Sequence, residues 1–225
     1  MAEFSDEAEV TRAAKREVRV ELLARRRSLS GPARAVAAER VQAELVALVR
    51  RLRPRRMTAY VPVGSEPGGA ELPEALRRAL PADAELLLPV LLADLDLDWA
   101  AYTEPGALIA AGRGIREPAG ARLGVAAVAD AELLVVPAVA VDRLGRRLGR
   151  GGGSYDRALA RVPEATLTVV PLHDGELVEA LPAEPHDRLV RAVVTPADGV
   201  RTLDAGPGAA HGVAPHTSAG RTRGE

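Results

Sequence analysis

The chain has 225 residues, of which 47% are hydrophobic, so it can bury one substantial core and we expect one main domain. Its 30 basic and 31 acidic side chains nearly cancel, which argues against a general affinity for nucleic acid or for an anionic membrane. Because it has no cysteine, no signal-like N-terminus and no apolar stretch that could span a bilayer, we expect a cytoplasmic protein without disulfides or thiolate chemistry.

Two long helices are predicted at the start of the chain. Residues from about Asp6 to Ser28 place apolar side chains at helical spacing among many arginines. Ser30 can cap a second helix, whose apolar positions repeat from Val41 to Leu52 until Pro54 stops them. Both helices precede the first predicted strand.

Short apolar runs, separated by helical or loop segments, make up the rest of the predicted domain. A buried strand is predicted at MTAYVPV, then the loop GSEPGG and a short helix from Leu72 to Leu80. Further strands are predicted at ELLLPV, LDLDWAAY, AELLVVPAVAV, ATLTVV and LVRAVVT, and this alternation indicates an α/β layered domain. Beyond Thr195 the periodicity is lost, so we assign residues 1–199 to the domain and residues 200–225 to a disordered tail.

The segment RLGRGGGSYDRAL, from Arg147 to Leu159, is typical of a loop that binds an anion. Its glycines let backbone N–H groups approach a phosphate, the neighbouring arginines supply positive charge, and Ser154 opens a predicted helix. A carboxylate at Asp156 would repel a phosphate unless it held a divalent cation. The pattern therefore predicts a site for a magnesium nucleotide.

Other phosphate-binding loops have different patterns. A Walker loop needs a lysine among its glycines, and here the one lysine, Lys15, is far upstream. The glycine spacing also departs from that of a dinucleotide-binding turn. A flexible surface turn is the remaining alternative, although a turn requires neither the arginines nor the Tyr155 and Asp156 pair.

Three other positions are candidates whose role the residue pattern leaves open. Lys15 is the one lysine in a chain with 29 arginines. Its presence reflects either a coding bias that favours arginine or a need for a compact ammonium at a phosphate. Glu66 follows a strand, where α/β sheets bind ligands, but a solvated loop acid would look the same. Asp187 is either a second carboxylate for the cation at Asp156 or a turn residue.

For a few further residues, a structural role is favoured over a functional one. Trp99 and Tyr102 belong to an alternating strand and are expected in the core, with a planar wall for an aromatic ligand as the alternative. Glu117 precedes a proline and indicates a turn. His173 has no sequence neighbour with which it could form a metal site or a catalytic pair.

Taken in order, several segments resemble the 5-formyltetrahydrofolate cyclo-ligase family, also called methenyltetrahydrofolate synthetases. The segments are KREVRVELLARRRSLS, YVPVGSEP, LLLPV, GIREP, LLVVPAVAVDRLGRRLGRGGGSYDRAL and LPAEPHDRLVRAVVTP. They fall between about residues 12 and 196, and the glycine-rich loop is the most specific of them.

This resemblance implies a three-layer α/β/α single domain with a central mixed, mostly parallel sheet. It also implies an enzyme with Mg²⁺ as cofactor that uses ATP to convert 5-formyltetrahydrofolate into 5,10-methenyltetrahydrofolate, releasing ADP and phosphate. In the family mechanism the formyl oxygen is phosphorylated before N10 closes the ring. We expect the protein to act as a monomer, with neither nucleic acid nor membrane as a partner.

The resemblance also implies roles for individual residues. Arg150 and Tyr155 would be catalytic, and Asp156 and Asp187 would bind the metal. The substrate-binding residues would be Val61, Glu66, Arg150, Gly151, Gly152, Gly153 and Ser154. The ATP-binding residues would be Lys15, Arg16, Glu17, Val18, Arg19, Arg147, Leu148, Gly149, Arg150, Gly151, Gly152, Gly153, Ser154 and Tyr155.

The chain departs from the family pattern at two positions of the loop. Many members read GYYD where this chain has GSYD, so Ser154 replaces an aromatic ring, and some carry a lysine where Gly152 stands here. The loss of this ring affects the packing of the folate and leaves the phosphate-binding loop intact. The alternatives are therefore a non-catalytic folate- or nucleotide-binding module, a sugar-phosphate isomerase of similar α/β fold, and a small interaction protein.

Overall fold

The computed structural model describes residues 2–112, 114–184 and 187–203, with the side chains of residues 2–8 left undescribed. The helices in this part of the chain are α1 (Ala2–Ser28), α2 (Gly31–Leu52), α3 (Leu72–Ala79) and α4 (Ser154–Leu159), with 3-10 turns at Pro105–Ala107 and Val125–Asp130. The strands are β1 (Arg56–Thr58), β2 (Glu85–Leu91), β3 (Leu97–Ala101), β4 (Leu108–Ala110), β5 (Arg116–Pro118), β6 (Leu133–Val135), β7 (Ala140–Asp142), β8 (Arg147–Leu148), β9 (Leu167–Pro171), β10 (Leu177–Val178), β11 (Ala192–Thr195) and β12 (Gly199–Thr202).

Local signals set the ends of the second helix. The Ser30 side chain accepts a hydrogen bond from the Ala33 backbone N–H at 3.3 Å, which confirms the predicted cap. At the other end Arg53 adopts a left-handed conformation, with φ of 50°, immediately before Pro54. Both ends are therefore as the sequence predicts.

A seven-stranded sheet forms the centre of the domain, in the order β12-β11-β9-β6-β1-β2-β3. The five central strands run parallel to one another, while β12 and β3 pair antiparallel at the two edges. The predicted mixed, mostly parallel sheet is confirmed. Its parallel strands bring their carboxyl ends, and the loops that follow them, to one edge.

Alternate side chains of the strands face two separate apolar clusters. Leu86 and Leu88 of β2 pack with α2 and α3 on one face of the sheet. Leu87 packs with Trp99, with α4 and with the 3-10 turn at Val125–Asp130 on the other face. This period of two gives the three-layer arrangement, although the second outer layer consists of short helical pieces.

A small three-stranded sheet, in the order β10-β7-β8, carries the glycine-rich loop. Helix α1 packs against it, with Leu22 in a cluster that contains Val139, Ala140 and Leu148. The loop between β8 and α4 therefore follows a β-hairpin formed by β7 and β8. Among the described residues, no helix combines the length and apolar character needed to cross a bilayer.

Several predicted elements differ in extent. The run AELLVVPAVAV divides into β6 and β7 around Pro137, which lacks the N–H that a continuing strand needs. The predicted helix from Leu72 ends at Ala79. Within the predicted strand MTAYVPV, β1 ends at Thr58.

The predicted boundary after residue 199 falls inside β12. The sequence TPADG closes a tight hairpin in which Gly199 has φ of 66°, and Val193 of β11 pairs with Arg201 of β12. The domain therefore continues to Leu203, the last described residue. Residues 204–225, the rest of the predicted tail, lie outside the described residues.

Candidate active site

A cavity of about 770 Å³ opens at the carboxyl ends of β1 and β6. Its walls come from α1, the segment after β1, the hairpin between β2 and β3, the segment after β6, the glycine-rich loop and the segment before β11. The predicted site residues that line it are Lys15, Arg16, Arg19, Val61, Glu66, Arg147, Leu148, Gly149, Arg150, Gly151, Gly152, Gly153, Ser154, Tyr155, Asp156 and Asp187. The tertiary structure thus brings together most of the candidates that the sequence nominated separately.

Glu17 and Val18 are the two predicted site residues that do not line the cavity. Glu17 is exposed on α1, and Val18 packs against the cluster between α1 and the small sheet. Lys15, Arg16 and Arg19 share one face of the helix at spacings of one, three and four residues, whereas Glu17 and Val18 lie on other faces. The structure therefore does not bring Glu17 and Val18 into the cavity.

Lys15 lies between two carboxylates at the end of the cavity. Its Nζ atom is 2.7 Å from Asp187 Oδ2 and 2.9 Å from Glu184 Oε2. Burial alone would lower the pKa of the ammonium, but hydrogen bonds and charges from Asp187 and Glu184 outweigh burial and raise the pKa above its usual value. The group therefore remains a cation throughout the neutral range.

The glycine-rich loop is tied to α1 and to its own helix. Arg19 Nε donates to the Gly149 carbonyl at 2.8 Å, and Arg147 donates to Asp156 Oδ1 at 2.6 Å. Gly151 and Gly153 have φ of 103° and 69°, conformations that L side chains rarely adopt. Helix α4 has only six residues, so its dipole is weak and the loop backbone and arginines dominate the attraction for an anion.

Two buried polar atoms at this loop lack partners. In the described part of the chain, neither the Tyr155 hydroxyl nor Arg147 Nε finds a hydrogen-bond acceptor or donor. Burial raises the pKa of Tyr155 far above its usual range, the charge of Glu66 adds to this effect, and Arg147 opposes it. At neutral pH Tyr155 is therefore a protonated donor in a cavity wall.

Glu66 faces the glycine-rich loop from across the cavity. One carboxylate oxygen accepts the Val63 backbone N–H at 2.9 Å, and the other is 2.9 Å from Arg150 Nε. The side chain of Glu66 is only 12% exposed, so its remaining acceptor capacity points into the cavity rather than into bulk solvent. The interpretation as a solvated loop acid is wrong, because Glu66 is a cavity residue.

Some lining residues were not identified as site residues from the sequence. Tyr60, directly before Val61, lines the cavity and donates from its hydroxyl to the Pro67 carbonyl at 2.6 Å. Glu117 also lines it and accepts the Leu91 backbone N–H at 2.8 Å. Their position inside the segments YVPVGSEP and GIREP was the available signal.

Trp99 and Tyr102 contribute nothing to the cavity wall. Trp99 is fully buried against one face of the sheet and Tyr102 belongs to the core on the other face. The expectation that they are core residues is confirmed, and the alternative of a planar wall for an aromatic ligand is wrong.

Asp156 and Asp187 carry the kind of ligand atoms that Mg²⁺ prefers. Both line the cavity and offer hard carboxylate oxygens. The described residues contain no cluster of three or more acidic or histidine side chains that could hold a metal alone. Mg²⁺ is commonly held by one or two carboxylates with phosphate and water oxygens completing its shell, so the donor set fits.

Comparisons with known proteins agree with this geometry. Residues 11–196 match the model of the 5-formyltetrahydrofolate cyclo-ligase family. The chain is 41% identical to the 5-formyltetrahydrofolate cyclo-ligase of Mycolicibacterium smegmatis over 194 residues, which cover 84% of this chain and 97% of the relative.

Two solved structures have folds similar to that of this chain. The NMR structure of Aquifex aeolicus 5,10-methenyltetrahydrofolate synthetase matches with a TM-score of 0.67 and 28% identity, covering 91% of this chain and 98% of the other. A 5,10-methenyltetrahydrofolate synthetase from Mycoplasma pneumoniae matches with a TM-score of 0.62 and 17% identity, covering 80% and 96%, which supports the fold alone. Because the family model spans most of the sequence and the Mycolicibacterium relative aligns over nearly its whole length, the chain belongs to the 5-formyltetrahydrofolate cyclo-ligase family.

Proposed function

We propose that this cavity is where the chain carries out the ATP-dependent cyclisation of 5-formyltetrahydrofolate to 5,10-methenyltetrahydrofolate. Family membership supports the reaction and its two substrates, folate and ATP. The geometry supports the location, since one cavity contains a glycine-rich loop with arginines, a lysine and an acidic residue on the opposite wall.

One observation carries the assignment of the loop. The Tyr155 hydroxyl and Arg147 Nε are buried donors without partners in the described chain, and both residues line the cavity. An unsatisfied buried donor costs about 1 to 3 kcal/mol, so a bound anion that accepts from both would relieve a cost already present in the fold. Burial lowers the pKa of Arg19 and the charge of Arg16 adds to this effect, so two cations lie close together on the same wall.

The reaction then divides between the two sides of the cavity. The glycine-rich loop, Lys15 and Arg19 hold the ATP phosphates, while Glu66 holds the polar edge of the pterin. The formyl oxygen attacks the γ-phosphorus as the bond to ADP breaks, and N10 then attacks the formyl carbon, loses its proton and expels phosphate. Phosphorylation is needed because an amide oxygen leaves poorly, whereas phosphate leaves readily.

Arg150 and Tyr155 are proposed to act at the reacting atoms. Arg150 projects from the loop toward Glu66, so it lies between the proposed phosphate and pterin sides. Tyr155 can donate its proton in a hydrogen bond to a phosphoryl or formyl oxygen, where negative charge develops. Asp156 and Asp187 would hold Mg²⁺, which would neutralise phosphate charge when bound.

We also propose that the chain acts as a cytoplasmic monomer with neither nucleic acid nor membrane as partner. The formal net charge of -1 gives no general attraction for polyanions.

The test is an assay of the full chain with Mg-ATP and 5-formyltetrahydrofolate. We expect the methenyl chromophore and ADP to appear in equal amounts. The variant Tyr155→Phe keeps the ring and removes the donor, so its kcat should fall at least about tenfold. Substrate binding without ADP release would instead support a non-catalytic folate- or nucleotide-binding module.

A further inference from the structure

A buried polar chain lies behind the cavity wall and reaches the loop that carries Glu66. It consists of Arg26, Glu176 and His173, which are 1%, 4% and 6% exposed. None of the three lines the cavity. Buried charged groups are uncommon unless they are paired, and the charges of Arg26 and Glu176 are paired with each other.

Arg26 and Glu176 form the centre of this chain. Arg26 Nε is 2.6 Å from Glu176 Oε1, and its terminal nitrogen is 2.8 Å from Glu176 Oε2, which is a bidentate pair. The same Arg26 nitrogen donates to the Ala138 carbonyl at 2.6 Å. Ala138 is itself a cavity residue, so the pair connects α1 to the cavity wall.

His173 extends the chain to the Glu66 loop. Its backbone N–H donates to Glu176 Oε2 at 2.7 Å, and its ring Nε2 is 3.0 Å from the Ser65 carbonyl oxygen. A carbonyl oxygen only accepts, so Nε2 carries the hydrogen. Ser65 directly precedes Glu66, and Tyr60 holds the other side of the same loop through Pro67.

We propose that His173 is a positioning residue for folate binding, which holds the loop of Glu66 through the Ser65 carbonyl and whose backbone N–H is held by Glu176 of the buried Arg26 and Glu176 pair. This inference rests on the proposed role of Glu66 at the pterin. Tyr60 anchors the loop from inside the cavity, where it could contact ligand, whereas His173 anchors it from outside. His173 can therefore be changed without touching substrate.

Two variants separate the hydrogen bond from the bulk of the ring. In His173→Gln the amide nitrogen can replace Nε2 as donor to Ser65, whereas the shorter side chain in His173→Asn cannot reach it. We expect His173→Asn to raise the KM for 5-formyltetrahydrofolate by roughly fivefold to tenfold, the loss of one buried hydrogen bond. The KM for ATP should change less than about twofold, and His173→Gln should resemble the parent chain.

Hydrogen exchange of the free protein gives a readout independent of turnover. Amides of residues 64–66, 68 and 69 should exchange faster in His173→Asn than in His173→Gln, while those of residues 147–153 should not differ. An unchanged folate KM in His173→Asn, or equal exchange in both variants, would overturn the proposal. So would parallel increases in both KM values with a lower thermal midpoint, since that pattern indicates a general structural role.

The proposed function and this inference fail in different ways. If the parent chain produces no methenyl product, the proposed function fails before any variant is compared. If the parent turns over normally and His173→Asn has the same folate KM, only the positioning role is lost.

Discussion

At the scale of single residues, the ammonium of Lys15 has a position that composition could not explain. It lies within 2.9 Å of two carboxylates and faces the cavity, where a compact cation with three donors fits the geometry. This contact supports a functional need for lysine over a coding bias. It also means that Lys15 has two roles, because it connects α1 to the segment before β11.

For Lys15→Ala we expect both activity and stability to fall. Removing a charge-assisted hydrogen-bonding group should raise the KM for ATP at least about tenfold and lower the thermal midpoint by roughly a few degrees. Arg25→Ala is the matched control, because it removes a cation from the same helix whose pair with Glu21 is exposed. Equal KM values for ATP in the two variants would return Lys15 to the coding-bias interpretation.

At the scale of elements, the glycine-rich loop divides into positions that require glycine and positions that do not. Gly151 has φ of 103°, whereas Gly152 is outside the left-handed region and an added Cβ would meet Ser154 Oγ at an ordinary 3.5 Å. A Cβ at position 152 therefore meets neither a steric nor a backbone obstacle.

Substituting alanine at these two neighbours should therefore have unequal effects on folding. Gly151→Ala should cost about 1 to 2 kcal/mol and lower the thermal midpoint by about 2 to 8 °C. Gly152→Ala should remain within about 1 °C of the parent. Differential scanning calorimetry of both variants is the measurement, and equal midpoints would contradict the backbone argument.

The short helix α3 has a pH-dependent contribution to stability. Hydrogen bonds from Arg77 and Arg78 hold the pKa of Glu74 at about 2, against the opposing effect of burial. A depressed carboxyl pKa stabilises the fold above the unfolded value and loses that effect as pH falls through the folded value. The thermal midpoints of the parent and of Glu74→Gln should differ above about pH 5 and converge as pH falls toward 2.

At the scale of the whole molecule, β12 completes the seven-stranded sheet and extends the domain past the predicted boundary. It pairs with β11 over Gly199–Thr202, and an added Cβ at Gly199 would meet Glu44 of α2 at 2.9 Å. Its close contact with α2 makes the strand part of the packed domain, although its composition resembles the tail that follows.

Two truncations test this boundary. A chain ending at Leu203 should keep the parent's thermal midpoint and activity, because the apolar clusters of the described residues extend no further than Leu203. A chain ending at Asp198 loses β12 and exposes the edge of β11, so its midpoint should fall and it should aggregate more readily. Thermal melts with light scattering distinguish the two results, and equal behaviour would contradict the revised boundary.

The two long helices and the glycine-rich loop were predictable because their signals are local. Ser30 and Pro54 mark the ends of α2 within the sequence itself. The loop glycines are adjacent in sequence to the arginines and the aspartate that identify the loop as a candidate phosphate site. Strand ends were less predictable. A strand stops where its neighbour stops pairing, and β6, for example, is bounded by strands that come from distant parts of the chain.

The sequence by itself determined the α/β class, the family resemblance and most of the residues that line the cavity. Only the tertiary structure decided that Lys15 meets Glu184 and Asp187, which are 169 and 172 positions away, and that His173 lies behind the Glu66 loop. Those contacts depend on how α1 and the loops after β1 and β9 pack together. A residue's type and spacing reveal its chemistry, but its long-range partners depend on the packing of the whole fold.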